Sequence, residues 1–155
     1  MEAEIEKVVT EFIERVLFFI GVVASVDVVA DISEENTYLV SLSGEDLGVI
    51  IGYHGEALAS LQNVLGLDVG KKLGKWPRLV VDVNGYRRDR EEKVKEMARK
   101  AVERAKLMSR PVELPPMMAF DRRVAHMEIA KHDGVVSESI GQGYNRRVVV
   151  TPNQG

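Results

Sequence analysis

Val49-Ile50-Ile51-Gly52-Tyr53-His54-Gly55-Glu56-Ala57-Leu58 is the stretch on which the fold turns. Two glycines bracket two residues. Apolar residues precede them, and a helical apolar pattern of Leu58, Leu61, Val64 and Leu65 follows. The pattern predicts a tight turn between a short helix over 46–51 and a second helix over 56–67. Glycine lets backbone approach a ligand closely, and the amides that open a helix face outward with partial positive charge. Gly52, Tyr53, His54 and Gly55 are therefore suited to clamp a sugar-phosphate backbone, with bases lying over Ile50 and Ile51. A GxxG string also joins ordinary helices, so its surroundings must decide.

Upstream, Ile5, Val8, Val9, Phe12, Ile13, Val16, Leu17 and Ile20 recur at helical spacing and predict an amphipathic helix over 2–20, stopped by Gly21. Residues 22–32 and 37–42 are rich in β-branched side chains. The polar Ser33-Glu34-Glu35-Asn36 between them predicts an antiparallel hairpin. Downstream, residues 71–77 form a basic, glycine-containing connection, and 79–83 is a compact apolar run read as a third strand. The order is α-β-β-α-α-β. A turn of this kind in this order resembles the KH domain in its second, mainly bacterial, topology, whose GxxG loop clamps several nucleotides. The middle residues of such loops are often basic. Here they are Tyr53, which can stack on a base or sugar, and His54, whose ordinary pKa of about 6.5 allows partial charge.

After the third strand comes Asn84-Gly85-Tyr86-Arg87-Arg88-Asp89-Arg90 and a long basic helix with one apolar stripe, from Val94 through Ala98, Ala101 and Ala105 to Met108. Its basic residues are interleaved with Glu91, Glu92, Glu96 and Glu103, so most of them should be solvated or in weak i,i+4 pairs. Ser109-Arg110-Pro111 ends the helix. Pro115-Pro116 precedes another helix over 117–131. Two strands, 135–140 and 146–151, then flank the loop Gly141-Gln142-Gly143-Tyr144-Asn145. In Phe120-Asp121-Arg122-Arg123-Val124-Ala125-His126, Arg122 and His126 stand four apart and share a helix face. A guanidinium beside an imidazole suits a phosphate, or a phosphate with a stacked base. This stretch resembles the R-three-H domain, and Arg146-Arg147 before Val148-Val149-Val150 resembles that domain's closing strand, extending the basic surface beside Arg122.

The strand, the Gly-Tyr-Arg corner and the basic helix together resemble the junction of the bacterial Jag family, also called SpoIIIJ-associated proteins, over about residues 3–152. The expected fold is α+β: a KH domain over 1–84, then a connecting helix and a small α/β R-three-H domain over 85–155. Many Jag-like proteins carry a small extra N-terminal domain, whereas this sequence opens at the first KH helix. The resemblance implies binding of single-stranded RNA, with single-stranded DNA as a competitor. It also implies pairing with a small KH-domain protein or with itself, and post-transcriptional regulation linked to cell elongation and the envelope.

Composition is compatible with this reading. The net charge of −3 hides an asymmetry: residues 1–60 hold 12 acidic and 2 basic residues, whereas 61–155 hold 12 acidic and 19 basic. Such a split between halves is a hint of nucleic-acid interaction. There is no cysteine, hence no disulfide and no cysteine zinc site. The acidic N-terminus lacks a secretory n-region, and the apolar stretch from Val16 to Ala30 is too short and interrupted to insert in a membrane, so a cytoplasmic location is expected. His54, His126 and His132 lack metal-ligand or acid–base spacing, which argues against an enzyme, a metal site or a cofactor. The competing reading is a protein-interaction scaffold, favoured by the acidic first half and the Tyr-His turn.

Overall fold

The computed structural model describes residues 1–153, which form two compact units, Met1–Arg87 and Arg88 onward. The first begins with helix α1 (Glu2–Ile20), whose Ile5, Val9, Ile13 and Leu17 fall every fourth residue and are all buried. Gly21 closes it at φ 72°, a conformation that favours glycine. Strands β1 (Ser25–Ala30) and β2 (Thr37–Ser43) form the expected antiparallel hairpin, and β3 (Arg78–Val83) joins β2 in parallel, giving the order β1-β2-β3. The register aligns three apolar rows on one sheet face: Ala30–Tyr38–Leu79, Val28–Val40–Val81 and Val26–Leu42–Val83. These rows share a core with the buried stripe of α1 and with Leu58, Leu65 and Val69 of helix α3 (Glu56–Leu73).

Helix α3 runs six residues past its expected end at 67 and includes Lys71 and Lys72, which the sequence placed in a connection. Gly66 and Gly70 weaken the local helical signal, but Val69 is fully buried and Gly70 lies beneath the Trp76 ring, so tertiary packing overrides propensity. The short helix α2 (Gly48–Ile51) starts two residues later than expected.

The free edge of β3 is occupied by side chains. Gln62 Oε1 accepts from the Val81 amide at 2.9 Å, and Arg87 Nε donates to the Val81 carbonyl at 2.7 Å. A further bond of 2.8 Å joins Arg87 to Gln62, and Asp82 accepts from the Arg87 amide at 3.1 Å. Arg87 is thus a structural residue rather than a solvated helix cation.

Helix α4 (Tyr86–Met108) begins in the first unit and supplies Val94, Ala98, Ala101, Val102 and Ala105 to the core of the second. There, β4 (Val112–Glu113), absent from the sequence reading, pairs antiparallel with β6 (Arg147–Pro152), which pairs on its other side with β5 (Val135–Ile140). Helix α5 (Ala119–Ile129) packs its Val124, Ala125 and Ile129 into this core. Arg90, also expected to be solvated, is buried with Asp121 of α5 at 3.0 Å. Other α4 charges follow expectation in Glu91–Lys95 and Glu96–Lys100 pairs.

Candidate nucleic-acid interface

In the first unit, the turn between α2 and α3 is a single 3-10 turn, Tyr53–Gly55. Gly52 adopts φ 70°, ψ −168°, a combination open in practice only to glycine. A Cβ at Gly52 would lie 2.6 Å from that of Ala57, and one at Gly55 (φ 84°) would lie 2.9 Å from the Tyr86 ring. Both glycines are required by the turn itself, whatever binds there. Tyr53 is 70% exposed and its ring stacks on His54 with centroids 3.9 Å apart and planes 21° from parallel.

In the second unit, Arg122 and His126 project from one side of α5. Arg122 Nη1 donates to the Met117 carbonyl at 2.8 Å, while the Met117 amide donates to the Arg146 carbonyl at 3.2 Å. His126 is held at both ring nitrogens: Nδ1 lies 2.7 Å from Ser137 Oγ, and Nε2 lies 2.7 Å from Ser139 Oγ. Both ring nitrogens are thus engaged within the unit, which leaves the ring face for stacking. Burial, then the charges of Arg122 and Arg146, lower its pKa below the ordinary histidine value, so the ring is neutral near pH 7. Arg146 itself donates from Nη1 to the Gly141 carbonyl at 2.9 Å. Arg123 is exposed on the same helix. Arg147 goes elsewhere: it neighbours Val148, which pairs with Ser139, so alternation turns it to the opposite sheet face. There its Nε donates to Glu113 at 2.8 Å.

The two units carry two recognisable domains in order. Residues 7–83 match the KhpA/KhpB KH domain, and residues 92–152 match the R-three-H domain. The chain belongs to the Jag family. Curated relatives of this two-domain chain include three proteins named RNA-binding protein KhpB. That of Clostridium symbiosum is 32% identical over 142 residues, covering 91% of this chain and 63% of the relative. That of Streptococcus pneumoniae strain D39 is 31% identical over 150 residues, 95% of this chain and 45% of the relative. That of Bacillus subtilis strain 168 is 26% identical over 113 residues, 71% of this chain and 54% of the relative. This Jag-family chain thus spans between 45% and 63% of their lengths.

Sequence reasoning missed Ser137 and Ser139 as supports of the motif histidine. The signal was present, since Ser-Glu-Ser in a strand puts both hydroxyls on one face. It also missed that Asp121, just before the RxxxH motif, is a buried partner of Arg90. No helix among the described residues is long and apolar enough to cross a membrane.

Proposed function

We propose that this chain binds single-stranded RNA in the cytoplasm, chiefly through an R-three-H face of Arg122, Arg123 and Arg146 built around neutral His126. The observation that carries the reading is that Arg122 and Arg146 meet at Met117, with Arg122 on the helix face of a ring that two serines hold in place. Two guanidiniums with an uncharged aromatic ring offer bidentate donors to phosphate and a flat surface to a base. Three relatives are named RNA-binding proteins, which supports the same ligand. Gly52, Tyr53, His54 and Gly55 form a weaker second contact, because the turn brings no lysine or arginine of its own. Arg147, paired with Glu113, contributes mainly to the sheet.

Anisotropy of a labelled single-stranded RNA tests this. Replacing Arg122 and Arg146 together by Ala should weaken binding at least about tenfold, as expected when two charge-assisted phosphate contacts go. The loss should be similar across sequences, because phosphate contacts position a strand without reading it. Unchanged affinity in a folded double variant would move the main site elsewhere.

A second reading has its own observation. Phe18, Phe19 and Val23, at the end of α1 and just beyond it, are 80%, 78% and 88% exposed. Large apolar side chains grouped on a surface mark protein interaction sites. They favour pairing of the KH unit with a small KH protein or a second copy, through which a link to cell elongation and the envelope would run. Sedimentation of the parent against a Phe18→Ser, Phe19→Ser variant tests it; identical masses at all concentrations exclude self-association through this patch.

A further inference from the structure

The basic segment Lys71-Lys72-Leu73-Gly74-Lys75-Trp76-Pro77 takes no part in either site above. Trp76 is the chain's single tryptophan and is 63% exposed. Its ring lies against α3 at Gly70, where an added Cβ would meet ring carbons at 2.3–2.6 Å. One side of the indole is therefore seated on a helix, and the rest faces solvent. Beside it opens a shallow cleft of about 270 Å³ lined by Asn63, Gly66, Leu67, Trp76 and Pro77 among others. That is just under the roughly 300 Å³ at which sites for drug-sized ligands begin, a size suited to a single flat ring. Gly66 costs helix propensity, yet a Cβ there would meet nothing within 4 Å, so packing within the unit does not require it.

Charge identifies the occupant. Lys72 is paired with Asp68 and Arg78 with Glu34, but among the described residues Lys71 and Lys75 are exposed and have no ion pair. An exposed indole preceded by unpaired lysines one and five residues before it has the composition of a platform for an unpaired base with nearby phosphate contacts. From Glu56 to Gly70 the helix rises roughly 20 Å at 1.5 Å per residue, so this platform is separate from the GxxG turn.

We propose that Trp76 stacks on an unpaired nucleobase, with Lys71 and Lys75 contacting nearby phosphates, as an additional nucleic-acid contact of the KH unit. The proposal rests on the RNA-binding reading, and its test separates the two. A single-stranded oligouridylate is titrated into the full chain while Trp76 emission and acrylamide quenching are followed; anisotropy of the labelled oligonucleotide gives affinity independently. Binding should quench the emission and shield Trp76 from acrylamide. Trp76→Ala should weaken affinity about fivefold or more, whereas Trp76→Phe should keep most of it. Lys71→Glu with Lys75→Glu, exposed positions that do not disturb the Gly70 contact, should also weaken it. RNA bound at full affinity with emission, shielding and all variants unchanged overturns the platform alone and leaves this face to a protein partner. No anisotropy change at any concentration overturns the platform and the RNA reading together.

Discussion

His126 shows how far a single residue was readable. Its spacing from Arg122 put it on the right helix face, but nothing in a one-helix motif reveals two serines arriving from a strand more than ten residues on. The pairing has a pH consequence. Burial and two arginines lower the folded pKa below the unfolded value of about 6.5. The unfolded chain therefore takes up the proton first, and stability rises with pH through this window. The contribution is complete above about pH 6.5 and is lost as pH falls through the folded pKa. Urea midpoints should drop as pH falls below about 6.5, less so in His126→Gln, and NMR should show His126 titrating below the ordinary value. A titration at or above about 6.5 contradicts the geometry. Gly52 makes a second residue-scale point: Gly52→Ala forces a Cβ into a glycine-only conformation at a cost of about 1–3 kcal/mol. Urea unfolding measures this cost, so Tyr53→Ala, at an exposed side chain, is the cleaner probe of binding by the turn.

Elements were legible where apolar periodicity was long and blurred where packing or short pairing decided. Helix α1 and the hairpin matched because their patterns extend over many residues. The end of α3 was hidden because two glycines obscure a helix that tertiary contacts complete, and β4, two residues long, has no period to read. The α4–α5 contact was also invisible, since Arg90 resembled its solvated neighbours. Its side chain is 10% exposed and that of Asp121 6%, so removing one partner strands a buried charge. Asp121→Ala should cost about 3–5 kcal/mol, and Arg90→Met with Asp121→Leu should recover most of that, because apolar pairs of similar volume often replace buried ion pairs without loss. A double-mutant cycle in urea checks it; equal losses in the single and double variants would argue against this exchange.

At the scale of the whole molecule, charge is the readable quantity. The acidic first 60 residues and the basic remainder sum to a modest −3 that conceals where phosphate is welcome. If binding neutralises about four phosphates, log K should fall with log salt at a slope near about −3 for single strands. A titration across salt concentrations checks it, and a flat response would rule out an electrostatic interface.

The side chains of Gln62 and Arg87 on Val81 have a consequence for assembly. A strand edge accepts another strand only if its outward amides and carbonyls are free. Val81 has both taken, so the middle of the β3 edge is obstructed, and among the described residues β1 is the edge of this sheet with no such side chains on it. A sheet with one open border can join one other such sheet and then stops, which favours closed pairs over this sheet repeated edge to edge. Gln62→Ala with Arg87→Ala should open the second border. Light scattering of the concentrated variant should then grow with time, while the parent stays constant.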